Sequence, residues 1–150
     1  MTTLSDRLRS TGVVGAGGAG FPTYVKAQAQ AEIVIVNAAE CEPLLHKDKE
    51  LLHHYREHVL AGLRALMAEV GATRGLIAIK EKYVDLIEEL RRDTEREDAI
   101  EVAPLGDFYP AGDEFITIYE TTGRVVPPGG LPLDVGCVVS NVETLINLDL

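Results

Sequence analysis

The chain has 150 residues, enough for one domain with a buried core, and its 46% hydrophobic and 25% charged residues are typical of a globular protein. The net charge of −10, from 24 acidic and 14 basic residues, argues against nucleic acid as a partner because an acidic surface repels phosphates. The apolar runs are too short to cross a bilayer and the polar start MTTLSDRLRS lacks a secretion signal, so we expect a cytoplasmic protein with no membrane insertion of its own.

Helical and strand-like patterns alternate along the chain. After a glycine-rich run at 15–20, Pro22 can open a short helix that extends to Gln30. The remaining predicted elements, in chain order, are a strand at 32–37, a helix at 48–70 ended by Gly71, a strand at 75–80, a helix at 83–90, a strand at 100–104, a helix at 113–122, a strand at 135–140 and a helix from Asn141. Asp113 and Asn141 are expected to cap the last two of these helices.

This alternation predicts the fold class. Buried strands separated by helices of this length require parallel crossovers, so we expect an α/β architecture, a layered, mainly parallel sheet with flanking helices. We expect residues 1–150 to form one domain, the N-terminal part of a longer chain, because the last helical pattern stops after about two and a half turns.

The four glycines of the run at 15–20 would allow another group to approach the backbone closely. Gly15, Gly17 and Gly20 satisfy the G-x-G-x-x-G pattern of dinucleotide-binding turns, but no buried strand precedes them and Phe21-Pro22 interrupts the expected helix. Two interpretations remain from the residues alone. The run either exposes backbone N–H groups to a flat or phosphorylated ligand, or it packs tightly against a neighbouring strand and binds nothing.

Four segments together carry a resemblance to a known family. They are GAGGAGFPTYVK at 15–26, NAAECEP at 37–43, YPAGDE at 109–114 and VVSNVETL at 138–145. In this order they resemble the NADH-binding flavoprotein subunits of respiratory complex I. They are more similar to two relatives of those subunits, the C subunit of the Rnf electron-transport complex and the cobalamin reductase of propanediol utilisation.

The resemblance implies a Rossmann-like domain in which FMN is bound with NADH stacked upon it. It places the glycine loop beside the two rings, Phe21 against the dinucleotide, and Lys26 near phosphate. It also places polar side chains at the flavin ring and ribose, and the start of the last helix at the flavin phosphate. The implied cofactor-binding residues are Gly15, Gly17, Gly18, Ala19, Gly20, Phe21, Lys26, Asn37, Glu40, Glu42, Glu114, Ser140, Asn141 and Thr144.

Taken without the resemblance, several of these residues have ordinary roles. Phe21 would be a core aromatic, Lys26 a surface lysine, and Glu40 and Glu42 solvated loop acids. Two positions also depart from the respiratory pattern. Ala39 stands where that pattern has an aspartate, and Ser140 where it has an asparagine.

The implied reaction explains why the sequence offers no catalytic acid, base or nucleophile. Hydride passes directly from nicotinamide to flavin, so the protein has to hold the rings together and stabilise charge. The only two cysteines, 41 and 137, lie too far apart in sequence for a metal-ligand spacing and are too few for an iron–sulfur site, so iron–sulfur clusters are expected on missing segments or on partner subunits. Such partners would place the protein at the periphery of a membrane complex or in a metabolic compartment.

Two alternatives to an NADH-oxidising flavoprotein remain open at this stage. One is a non-catalytic assembly module that keeps the fold but has lost flavin, and the other is an ordinary NAD-binding Rossmann domain. The four histidines at 46, 53, 54 and 58 are expected on a solvated helix face, with metal binding the less favoured interpretation.

Overall fold

A computed structural model describes residues 3–15, 23–40 and 46–150 of the chain. Four parallel strands form one sheet in the order β3-β2-β1-β4. The strands are β1 Ile33–Asn37, β2 Arg74–Lys80, β3 Ile100–Leu105 and β4 Cys137–Asn141. The helices are α1 Leu4–Thr11, α2 Thr23–Ala27, α3 Lys47–Val70, α4 Val84–Asp93, α5 Glu114–Thr122 and α6 Val142–Asp149. The predicted α/β class with a parallel sheet is confirmed.

The sheet is buried on both faces, as its continuous runs of Val and Ile require. Side chains alternate along β1, so Val34 and Val36 pack on one face and Ile33 and Ile35 on the other. Helices α3, α4 and α6 cover the first face, and α5 covers the second with Ile118 at its centre. All the strands run in one direction, so their carboxyl ends meet along a single edge.

The close contact between α3 and α6 depends on a glycine. An added Cβ at Gly62 of α3 would lie 2.1 Å from the carbonyl oxygen of Leu145 in α6. Only a residue without a side chain therefore allows the two helix backbones to approach this closely. Because α6 follows directly after β4, this contact sets where α6 begins relative to the sheet.

The structure differs from the sequence prediction at four places. Helix α2 ends at Ala27 and not at the predicted Gln30. Helix α1 was not predicted, although Thr3 and Asp6 form a capping box at its start. The strand predicted from Val135 begins instead at Cys137, because Pro132–Val135 forms a 3-10 helix that ends at Gly136 with φ of 72°. Helix α3 contains one non-helical residue, Tyr55, inside its predicted span.

In the three described ranges, no helix combines the length and the apolar character needed to cross a membrane.

Candidate functional site

The candidate site lies where β1 and β4 end side by side. Asn37 and Asn141 are the last residues of these strands, and they are register partners in the sheet. Ligands of parallel α/β sheets bind outside the carboxyl ends of the strands. Three of the four sequence segments, 37–43, 109–114 and 138–145, have residues at this edge. Helix α2 belongs to the fourth segment, 15–26, and contributes one side chain to the edge.

Asn37 connects β1 to the segment before α5. Its Nδ2 donates to the carbonyl of Gly112 at 2.8 Å, and its Oδ1 accepts from the backbone N–H of Ala39 at 3.1 Å. The following Asp113 caps α5, with its Oδ1 accepting from the N–H groups of Phe115 and Ile116. The predicted capping role of Asp113 is confirmed. The segment 109–114 is thereby held against the end of β1.

Asn141 ends β4 and begins α6. Its Oδ1 accepts from the N–H of Glu143 at 2.9 Å, so the predicted N-cap is confirmed. Its Nδ2 donates to Oδ2 of Asp48, at the start of α3, at 3.0 Å. Ser140 and Thr144 on either side of it are buried. The first turn of α6 therefore starts at the sheet edge in a fixed orientation.

Lys26 reaches the same edge from α2. Its Nζ donates to the carbonyl of Val139 at 2.6 Å, two residues before the N-cap of α6. Burial lowers the pKa of Lys26, while the nearby carboxylate of Glu114 in the first turn of α5 opposes that shift. Lys26 is thus a half-buried cation at the sheet edge and not the ordinary surface lysine that the residue alone suggested.

Two carboxylates adjoin this edge on the side of α3. Oε2 of Glu40 accepts from the backbone N–H of Asp48 at 3.3 Å, and the side chain of Asp48 is buried with 5% of its surface exposed. Burial first, and then the negative charge of Glu40, raise the pKa of Asp48 to about 6. Lys47 lowers that pKa in part, but it is also paired with Glu143 at 2.8 Å.

Two buried polar atoms have no hydrogen-bond partner among the described residues, namely Oγ1 of Thr23 and Oδ1 of Asp48. Thr23 begins α2, the helix that carries Lys26, and Asp48 lies in the first turn of α3. Buried polar atoms are rarely left unpaired in a native fold, so each calls for an explanation. Both belong to elements whose side chains reach the edge of β1 and β4.

The structure brings together seven of the residues predicted to bind a cofactor. Lys26, Asn37, Glu40, Glu114, Ser140, Asn141 and Thr144 all lie at or next to this edge. Gly15 is half-buried and directly precedes the stretch 16–22, whereas the predicted residues Gly17, Gly18, Ala19, Gly20, Phe21 and Glu42 lie outside the described residues. Asp48 was missed, and its only signal in the sequence was its position soon after the NAAECEP segment.

Comparison with known proteins gives a consistent assignment. The family model described as the Nuo51 FMN-binding domain matches residues 8–149. The cobalamin reductase PduS of Citrobacter freundii is 48% identical over 146 residues, which are 97% of this chain and 32% of that protein. The C subunit of the Na⁺-translocating ferredoxin:NAD⁺ oxidoreductase complex of Acetobacterium woodii is 41% identical over 145 residues, which are 94% of this chain and 33% of that protein.

A solved structure shows the same fold. The crystal structure of an NAD⁺-reducing [NiFe]-hydrogenase in the air-oxidized state superposes with a TM-score of 0.83 at 31% identity, covering 97% of this chain and 29% of that one. The chain thus spans about a third of the length of the relatives it matches.

Proposed function

The chain belongs to the Nuo51 FMN-binding domain family, and from that premise we propose that it binds FMN at the edge of β1 and β4 and uses it to oxidise NADH. The observation that carries this proposal is the meeting of a capped helix start and a buried cation. Asn141 fixes the N-terminus of α6, and Nζ of Lys26 lies against the carbonyl of Val139 two residues earlier.

This arrangement suits a phosphate group. The first turn of a helix has backbone N–H groups without intrahelical partners and the positive end of the helix dipole, and both favour an anion. We assign the N–H groups of the first turn of α6 and the side chains of Ser140, Asn141 and Thr144 to the FMN phosphate, with Lys26 as the neutralising cation. The hydroxyl of Ser140 can donate to phosphate as the amide of the respiratory pattern does.

The residues present also suit the polar edge of a flavin ring. Asn37 has two amide hydrogens and two oxygen lone pairs, of which the described contacts use one each. Glu40 and Glu114 supply carboxylate oxygens that can accept from the flavin imide or from ribitol hydroxyls. Oγ1 of Thr23, which has no partner within the described part of the chain, adds a further buried polar atom on the α2 side. The donor set therefore fits FMN.

The glycine run completes the proposal. We assign Gly15, Gly17, Gly18, Ala19 and Gly20 to close approach of the backbone to the stacked rings, Phe21 to the dinucleotide and Glu42 to hydroxyl groups of the ligand. Bound FMN supplies a hydride acceptor that can pass electrons on singly. The chain's own part is to orient both nucleotides, to exclude water and to stabilise negative charge with amides and a helix dipole.

The onward electron path would require other parts. The relatives are a cobalamin reductase and a subunit of a ferredoxin:NAD⁺ oxidoreductase complex, and each is about three times as long as the matched region. We propose that an iron–sulfur segment or partner subunit accepts electrons from this domain and passes them to an acceptor such as a cobalamin. A peripheral position on such a complex requires no membrane span in the domain itself.

Flavin titration followed by anaerobic addition of NADH tests the proposal. Wild-type protein should quench FMN fluorescence, become yellow and bleach with NADH. Thr144→Val should weaken FMN binding about tenfold, because it removes a hydroxyl from the phosphate site without changing the shape of the side chain. The matched control Thr122→Val, at the far end of α5, should bind like wild type. A folded protein that is colourless after incubation with excess FMN and removal of the unbound flavin would favour the assembly-module alternative.

A further inference from the structure

Asp48 is an unexpected neighbour for a phosphate site. Its Oδ2 accepts a hydrogen bond from the N-cap Asn141, so a carboxylate lies one hydrogen bond away from the helix start that favours anions. Its other oxygen, Oδ1, is buried without a partner among the described residues. An ionised carboxylate here would repel a phosphate, and one of its buried oxygens would have no donor among the described residues.

The charges that surround Asp48 do not cancel its own. Glu40 presents a carboxylate from the segment after β1, with Oε2 on the backbone N–H of Asp48. Glu143 faces it from α6, and the neighbouring cation Lys47 is paired with Glu143. These four side chains therefore carry a net negative charge beside the helix start when Asp48 is ionised.

We propose that anion binding at the start of α6 is coupled to protonation of Asp48. The inference rests on the proposed FMN site and extends it. A protonated Asp48 keeps its acceptor oxygen for Asn141 and removes one negative charge from beside the phosphate. The proton comes from solvent and attaches to the carboxyl, and no other bond changes.

The direction of the coupling follows from electrostatics. Burial and Glu40 already raise the pKa of Asp48 to about 6, and a bound phosphate adds a further like charge that raises it more. Protein near neutral pH therefore takes up a proton when the anion binds. If only the protonated form binds, affinity falls by up to about 50-fold between about pH 6 and about pH 8.

The test is calorimetric titration of the full chain with FMN in buffers of different ionisation enthalpy, at several pH values. Asp48→Asn is uncharged and keeps an oxygen for Asn141. It should bind FMN more tightly than wild type at about pH 8, and proton uptake should be smaller than in wild type. Protons taken up by the FMN phosphate itself cancel in this difference. The matched control Glu50→Gln removes an exposed carboxylate from the same helix turn and should behave like wild type.

A second measurement uses wild type alone and does not depend on whether Asp48→Asn folds. Infrared difference spectra of wild type at neutral pH should gain a protonated carboxyl band on addition of FMN, and inorganic phosphate should produce the same band. Equal proton uptake in wild type and Asp48→Asn, or no such band, would overturn the coupling while leaving FMN binding intact. Proton-linked binding of phosphate without any binding of FMN would instead overturn the proposed function. Binding of neither would overturn both.

Discussion

Substitution of Gly62 by alanine should displace α6, the helix whose first turn we assign to the FMN phosphate. The new Cβ would lie 2.1 Å from the carbonyl oxygen of Leu145 and 2.7 Å from its carbonyl carbon, and both are backbone atoms that no rotamer change can move. Relief of this overlap requires a shift of α6 by about 1 Å. Such overpacking costs about 3 kcal/mol, and the better helix propensity of alanine returns about 1 kcal/mol. We therefore expect a net loss of about 2 kcal/mol.

The assay combines urea unfolding with FMN titration. Gly62→Ala should lower the free energy of unfolding and weaken FMN binding at least about tenfold, because the first turn of α6 moves with the helix. Gly71→Ala is the control, since its Cβ meets nothing within 4 Å although its φ is +71°. It should lose about 1 kcal/mol of stability through backbone strain and bind FMN like wild type. A Gly62→Ala protein as stable as wild type, with unchanged FMN affinity, would refute the packing argument.

Three further outcomes follow from the same geometry. The pKa of Asp48 is raised from 3.8 to about 6, so its ionisation destabilises the fold as pH rises through that window. In urea unfolding, Asp48→Asn should therefore have the same free energy of unfolding as wild type near about pH 4 and a value up to about 3 kcal/mol higher near about pH 7. A difference that does not change with pH would contradict this. Lys26→Met should weaken FMN binding about 10- to 100-fold in fluorescence titration, while the thermal unfolding temperature of the free protein changes little. An unchanged affinity would show that Lys26 does not bind the phosphate. Asp113→Ala should lower the free energy of unfolding in urea by about 1 kcal/mol because α5 loses its N-cap. An unchanged free energy of unfolding would show that another group caps the helix in the variant.

The architecture could be predicted from the sequence because its elements have strong local signals. The strand at β1 is an uninterrupted apolar run, and the long helix α3 has a regular apolar stripe that ends at Gly71. Asp113 and Asn141 were recognised as helix caps because short polar side chains directly before an apolar helical pattern have few other roles. Helix α1 was missed because most of its residues are polar, and its stability comes from a capping box and from contact of Leu8 with the core.

The candidate site was less accessible to sequence reasoning. The parallel alternation indicates that the ends of strands share an edge, but it does not give the strand order that places Asn37 beside Asn141. The role of Gly62 depends on a contact between helices 83 positions apart in sequence, counted from Gly62 to Leu145. Asp48 was missed for the same reason. Its burial and its bond to Asn141 arise only when α3 and α6 pack together.

The measurement that bears most directly on the proposed FMN site is the ratio of affinities for FMN and riboflavin. These two ligands differ only in the phosphate, which we assign to the first turn of α6 and to Lys26. Loss of the phosphate should weaken binding about 100-fold, because two charge-assisted hydrogen bonds contribute about that much to the affinity. Riboflavin bound as tightly as FMN would show that the helix start and Lys26 hold no phosphate, and the assigned site would be wrong.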